Sequence, residues 1–288
     1  MGKVFCFFNQ KGGVGKTTSV INIATVLAQK GKKILLIDLD SQGNSTSGVG
    51  LEKNENESTT YQLLVENAKP SDVIKPTVIE NLSVIPSNAH LAGAEIELIN
   101  QENREFVLKR QLEKIADAFD FILLDCPPSL GLISINALSA SSYIIIPLQC
   151  EYYALEGLSS LLNTYQLVKK SLNDSLELGG VILTMASFQT NLTKQVIDEV
   201  RSYFSDKVFD TVIPRSVKLS EAPSFGKPAV IYDPQNRGSQ AYVELGNEFL
   251  RRFGTEADRA QIASEPPAAI QQEPGDAGPA DEQTQVAQ

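Results

Sequence analysis

Histidine and cysteine, which carry much of protein metal and nucleophile chemistry, are almost missing from this chain: there is one histidine and there are three cysteines. His90 stands in a Pro/Ser/Asn-rich stretch, and Cys6, Cys126 and Cys150 are an odd number with no Cys-x-x-Cys spacing. That excludes a zinc site and a disulfide framework, and makes a reducing cytosol the expected home. No histidine is placed to activate Cys126 as a nucleophile. A small buried packing role is expected for Cys126 and a surface position for His90. No apolar run approaches the roughly 20 residues that span a bilayer. The N-terminus enters a strand-like segment with no signal-peptide pattern, and Cys6 stands where an N-myristoylation motif needs Ser or Thr.

Charge is abundant and unevenly placed. The formal net charge is −10, but seven of the 35 acids and one of the 25 bases lie in residues 254–288, which leaves 28 acids against 24 bases before them. The acidity therefore belongs mostly to the C-terminal stretch and argues little against a basic surface elsewhere. With 42% hydrophobic residues in 288, the chain can bury a sizeable core.

Short β-type runs alternate with longer stretches of helical period, the pattern of a parallel sheet with crossover helices. Strands are expected over 3–8, 33–38, 82–85, 121–125, 143–147, 180–184 and 208–212, and helices over 17–30, 104–118, 157–171 and 192–204. The runs FILLD (121–125) and YIIIP (143–147) are apolar on both faces and should be central. After Arg252 the composition turns to Pro, Ala, Gln, Glu and Gly without period. The expected fold class is α/β: a doubly wound, mostly parallel twisted sheet flanked by helices over residues 1–253, then a disordered acidic tail over 254–288.

The strongest local signal is Lys11-Gly12-Gly13-Val14-Gly15-Lys16-Thr17-Thr18, which follows an expected strand and opens an expected helix. Glycines there let backbone amides turn inward around phosphate oxygens, and the helix start adds its positive end. Lys16 is expected on the β- and γ-phosphates and the Thr17 hydroxyl on Mg²⁺. The general pattern G-x-x-x-x-G-K-[ST] fails at one place, where Gln10 replaces glycine and Lys11 follows it.

Two further strands end in acids at the edge where open α/β sheets bind ligands. The second strand runs into Asp38-Leu39-Asp40, whose alternation would put both carboxylates on one face. Phe121–Asp125 has the form of an apolar strand whose terminal carboxylate, Asp125, holds Mg²⁺ directly or through water.

The string KGGVGKTT resembles the deviant phosphate-loop motif of the ParA/MinD class of P-loop ATPases, and the match to its ParA/Soj members runs from Lys3 to about Phe253. It includes residues 91–98 (LAGAEIEL), 125–131 (DCPPSLG), 151–157 (EYYALEG) and 213–224 (IPRSVKLSEAPS). The resemblance implies ATP and Mg²⁺ as ligands and a sandwich homodimer in which Lys11 reaches the partner's nucleotide. It also implies an Asp40 that orients the attacking water, an Asp38 near the magnesium shell, and an adenine-side role for Pro214 and Arg215.

The same resemblance implies non-specific binding of the ATP-bound dimer to nucleoid DNA, with Lys218 and Arg215 at the contact, and a ParB-like partner that stimulates slow hydrolysis. Residues 186–253 hold nine bases against eight acids, and Gln189 stands where relatives usually carry Arg. A MinD-like membrane ATPase is the first alternative, but the C-terminal stretch has no basic amphipathic stripe. An orphan ParA-like ATPase that positions other cargo would look the same in sequence. An iron-protein relative would need cysteines placed to bridge a cluster, and a related ligase a substrate pocket. Neither is legible here.

Overall fold

The computed structural model describes residues 2–53, 58–151 and 154–264. Among these residues seven strands form one sheet: β1 (Lys3–Phe7), β2 (Ile34–Asp38), β3 (Lys75–Pro76), β4 (Leu82–Ile85), β5 (Phe121–Asp125), β6 (Tyr143–Gln149) and β7 (Glu177–Thr184). Their order is β3-β4-β2-β5-β1-β6-β7, and every pair is parallel except β3 with β4.

Alternation along each strand sends side chains into two cores, one on each face. Val4, Cys6, Leu35, Ile37, Ile122 and Leu124 enter one, and Phe5, Phe7, Ile34, Leu36, Phe121 and Leu123 enter the other. That is why these strands read as continuously apolar. From β1 the chain builds outward on one side, returns through β5, and then builds outward on the other through β6 and β7. The carboxyl edge beside such a reversal is where an open parallel sheet binds ligands.

Helix α1 (Lys16–Gln29) packs against the helix Arg237–Phe253, and both cover the same face of the sheet, where Phe249 meets Phe5 and Phe121. The two helices approach closely at Gly246, where an added Cβ would come 2.4 Å from Val26 Cγ1, so only glycine admits this packing. Among the described residues, no helix is long and apolar enough to cross a membrane.

Three expectations are corrected. Residues 208–212 form no strand; they run beside β7 with one isolated bridge, Val181 to Val208. The Glu248 carboxylate accepts the amides of Asp210 (2.8 Å) and Thr211 (2.9 Å), which would otherwise be free for a ladder. The helix expected over 104–118 is broken into a turn at Arg104–Phe106, a helix at Val107–Leu112 and a turn at Ala116–Ala118. Asn136 divides it, accepting the Leu108 amide and donating to the Arg104 carbonyl.

The tail does not begin at Gly254. Residues Glu256–Ser264 form a helix, capped where Asp258 Oδ2 accepts the Thr255 amide at 2.8 Å. Asp258 also pairs with Lys32, and Ile262 is buried in the same core as Phe253. Arg259 Nε adds a hydrogen bond to the Arg251 carbonyl at 3.0 Å, and with Ile262 as its buried apolar residue the helix leaves no apolar period in the sequence. Residues 265–288 lie outside the described residues.

Candidate functional site

The turn between β1 and α1 supplies the floor of the site. Gly13 (φ 72°) and Gly15 (φ 84°) take left-handed backbone, which a side chain disfavours. The loop is tied down from two other strands. Asn9 Nδ2 donates to the Pro147 carbonyl at 2.8 Å, Asn9 Oδ1 accepts the Lys11 amide at 3.0 Å, and Thr184 Oγ1 donates to the Val14 carbonyl at 2.8 Å. Neither Asn9 nor Thr184 stands out in the sequence. Asn9 adjoins the glycine run, a signal by which it could be suspected, whereas Thr184 lies 170 positions from its partner.

Lys16 is buried, and its Nζ donates to the carbonyls of Asn9 (3.0 Å) and Lys11 (3.2 Å). Burial pulls the ammonium pKa down, against the upward pull of Asp125, Cys126 and Asp40. This cation rests on two neutral carbonyls, a site poised for an anion.

The parallel register places Asp38 beside Asp125 and Asp125 beside Phe7, the last residue of β1. Both carboxylates are completely buried. Asp38 is committed: Oδ2 accepts the Thr46 amide (2.8 Å) and hydroxyl (2.7 Å), and Oδ1 accepts the Asp40 amide (3.2 Å). Asp125 Oδ2 accepts the Ser45 hydroxyl at 2.6 Å, but Oδ1 has no partner among the described residues.

Burial, with the Asp125 charge next, pushes the Asp38 carboxyl up to about 7. Burial likewise raises Asp125 to about 6, opposed by the Ser45 and Thr17 hydroxyls and by Lys16. A buried oxygen with an open lone pair beside a hydroxyl and an ammonium fits a divalent cation with its waters. Thr17 and Asp125 are therefore the residues that could hold one, while Asp38 shapes the helix α2 (Asn44–Gly48) that carries Ser45 and Thr46.

The expectation that Asp38 and Asp40 share a strand face is corrected. β2 ends at Asp38, the Leu39 amide bonds the Asp125 carbonyl, and Asp40 opens a turn closed by Gly43 N to Asp40 O at 2.9 Å. Alternation lapses once the chain leaves the ladder, so Asp38 faces inward while Asp40 borders a cavity.

That cavity, about 400 Å³, is lined by Gly12, Gly13, Gly15, Lys16, Thr17, Thr18, Asp40, Gln42, Asn44, Pro128 and Met185. A second, about 250 Å³, shares Gly15, Thr18 and Met185 with it and continues along Thr184, Ile213, Pro214, Arg215, Leu219 and Tyr242. Together they form a site with a glycine-walled end and an end bordered by Ile213, Pro214, Leu219 and Tyr242. Pro214 and Arg215 thus adjoin the loop, although the sequence separates them from it by some two hundred positions. Val14 is buried and contributes its carbonyl to the Thr184 tie.

Lys11 is not in the cavity. It is exposed, with Nζ 3.7 Å from Glu151, which also lies 3.5 Å from Arg215. Lys218 stands apart from both cavities, paired with Glu221 at 2.9 Å and lying over the Tyr232 ring. Gln189 and His90 are exposed, and Cys126 is buried with its Sγ 3.2 Å from that of Cys6.

A family model described as an AAA domain matches residues 2–178. The sporulation initiation inhibitor protein Soj of Bacillus subtilis is 57% identical over 248 residues, covering 86% of this chain and 98% of that protein. The chromosome partitioning protein ParA of Myxococcus xanthus is 46% identical over 263 residues, 91% of this chain and 93% of its own. Among solved structures, cobyrinic acid a,c-diamide synthase from Mycobacterium smegmatis with bound ADP and magnesium has a TM-score of 0.77 at 33% identity, covering 87% of this chain and 95% of that one. The cell division ATPase MinD of Pyrococcus furiosus has a TM-score of 0.72 at 26% identity, covering 87% and 99%.

Proposed function

Because the chain belongs to the Soj/ParA family of partitioning ATPases, we propose that it is a nucleotide-driven switch whose ATP-bound form pairs with a second copy and holds DNA without regard to sequence. It is an ATPase of the ParA/MinD class, and its ligands are ATP and Mg²⁺. The synthase likeness does not displace this reading, since at similar coverage of this chain it has 33% identity against 57% for Soj.

The observation that carries the assignment of residues is the open Oδ1 of Asp125, buried beside Lys16 and Thr17, which line the glycine-walled cavity. In this reading the amides of residues 12–18 and the Lys16 ammonium hold the triphosphate, and Thr17 and Asp125 hold magnesium. A magnesium ion held there would supply positive charge to offset the negative charge that develops on the phosphate oxygens. Asp40, at the cavity border, orients the attacking water. Pro214 and Arg215 flank the base at the end away from the glycine loop. Asp38 keeps α2 in place from behind.

Lys11 has the freedom that a contact with the second subunit's nucleotide needs. Its separation from Glu151 is long and both side chains are about half exposed, so that contact is worth little in water. Delivered across a dimer, its charge would act on the transferring phosphoryl group as an arginine finger does. Lys218 and Arg215 give the DNA contact, and a ParB-like partner stimulates hydrolysis and release on the nucleoid.

DNA binding is tested by titrating duplex DNA with ATP-loaded protein over a range of salt. The expected result is an affinity present only with Mg·ATP and falling steeply as salt rises. No affinity even at low salt rejects the DNA reading. Size-exclusion chromatography with and without Mg·ATP tests the dimer, and a monomer under both conditions rejects that.

A further inference from the structure

Residues 91–98 and 125–131 both carry the family resemblance, yet 91–98 has no place in the nucleotide site, to which 125–131 brings Asp125 and Pro128. The structure joins them. The helix Leu132–Ala140 begins directly after the loop that leaves Asp125, and Gly131 at its N-cap has no side chain to satisfy its first amides. Glu95, from the helix Leu91–Glu97, does so instead. Its Oε2 accepts the Leu132 amide at 2.8 Å and its Oε1 the Ile133 amide at 3.3 Å.

A side chain at 131 would push the carboxylate from this seat, because an added Cβ would come 2.2 Å from Oε1 and 2.5 Å from Oε2 of Glu95. Ser134 Oγ donates to the Ser129 carbonyl at 2.6 Å and ties the loop back onto the same helix. The loop is therefore held at two ends, by the β5 strand at Asp125 and by the Glu95 clasp at Gly131. Between these ends, Pro128 lines the phosphate-end cavity together with Thr17, Asp40, Gln42 and Asn44, and it is absent from the lining of the base-end cavity.

We propose that Glu95 is a positioning residue for ATP hydrolysis: its carboxylate, set on the helix N-terminus, fixes the Pro128 wall of the cavity that Asp40 borders. This rests on reading that cavity as the triphosphate site. A carboxylate at a helix start is favoured by the helix dipole, so the clasp is stable without nucleotide. Its loss loosens the wall at the hydrolytic end and leaves the base end alone. A displacement of about 1 Å at such a place can cost about a hundredfold in rate.

The test uses the full chain with Glu95→Ala and Glu95→Gln, measuring ATP turnover with Mg²⁺, ADP affinity by calorimetry, and melting temperature. Glutamine keeps the size and one acceptor oxygen, so it preserves the fold if alanine does not, and it then decides alone. Expected are a kcat reduced about tenfold or more by alanine and about threefold by glutamine, with ADP affinity within about twofold of the parent. Turnover equal to the parent's in the variants that fold overturns the proposal. So does a parallel fall of kcat, ADP affinity and melting temperature, which marks a merely structural role. If the parent itself neither binds ADP nor hydrolyses ATP, the reading of the cavity fails, and that outcome is distinct from both.

Discussion

The two ends of the sheet each carry a cavity with lysine and aspartate in its lining, and they differ in how far the charges around it are already satisfied. At the amino edge a cavity of about 290 Å³ is lined by Lys3, Lys32, Asp117, Asp120 and Asp258, among others. There Lys3 donates to the Phe253 carbonyl at 2.8 Å, Lys32 pairs with Asp258, and Asp120 accepts the Lys33 amide at 2.8 Å. At the carboxyl edge a buried lysine rests on carbonyls, two buried carboxylates stand side by side, and one carboxylate oxygen has no partner among the described residues. Size and charge do not separate these places. What does is that one closes its own electrostatics in holding the fold together, and the other leaves them open for a ligand.

The largest expected effect that tests this contrast is Asp40→Ala, which should cut ATP turnover about a hundredfold or more while Mg·ATP still binds. Normal turnover would remove Asp40 from its role. Lys16→Ala should weaken ATP binding by about ten- to a hundredfold in calorimetry, since hydrogen bonds to charged groups are worth about 1.5–3 kcal/mol. Thr184→Val, which deletes the tie to Val14, should weaken it by about fivefold, the worth of one ordinary hydrogen bond. An unaltered affinity in the last case would mean that the loop holds its shape unaided.

The pH dependence of stability should have opposite signs at the two edges. Without nucleotide, Asp38 and Asp125 have carboxyls raised to about 7 and about 6 from an ordinary 3.8. The folded chain then holds protons that the unfolded chain releases, so their contribution to stability falls as pH rises from about 4 to about 7. Burial raises the Asp258 carboxyl too, but Lys32 and the Thr255 amide and hydroxyl outweigh it and leave the pKa lowered. Its contribution is present above the ordinary value and is lost as pH falls below it. Melting curves of the nucleotide-free protein should show both slopes, with Asp38→Asn flattening the first and Asp258→Asn the second. A flat profile between about pH 4 and 7 would contradict the burial of two ionisable acids at the carboxyl edge.

The smallest effect belongs to Lys32→Ala. It should lower stability by about 1 kcal/mol, as expected for a partly exposed ion pair, and leave ATP affinity unchanged. A loss of ATP affinity would break the distinction between the two edges.

Much of the carboxyl edge is legible in the order of residues alone. The glycine loop, Asp40 and Asp125 announce themselves because each sits where an apolar run meets a turn, and such junctions are local. Asn9, Thr184, Ser45, Thr46 and Glu95 are not legible in that way, because each acts on a partner brought near by strand order or helix packing. The helix Glu256–Ser264 is hidden for a related reason: its docking depends on Ile262 and on Lys32, which lies far back in the chain.

Period and composition along the chain are enough to settle the alternation of strands and helices, the two-faced burial of the sheet and the presence of a phosphate loop. These follow from apolar spacing and from the left-handed conformations that glycine alone takes readily. Packing settles the rest: Asp38 is spent on Thr46 while Asp125 keeps an oxygen open, Asp40 turns out of line with Asp38, and Lys11 stands outside the cavity. Those outcomes depend on the register between β2 and β5 and on where each strand stops, which are fixed by contacts between segments that share no neighbourhood in the chain.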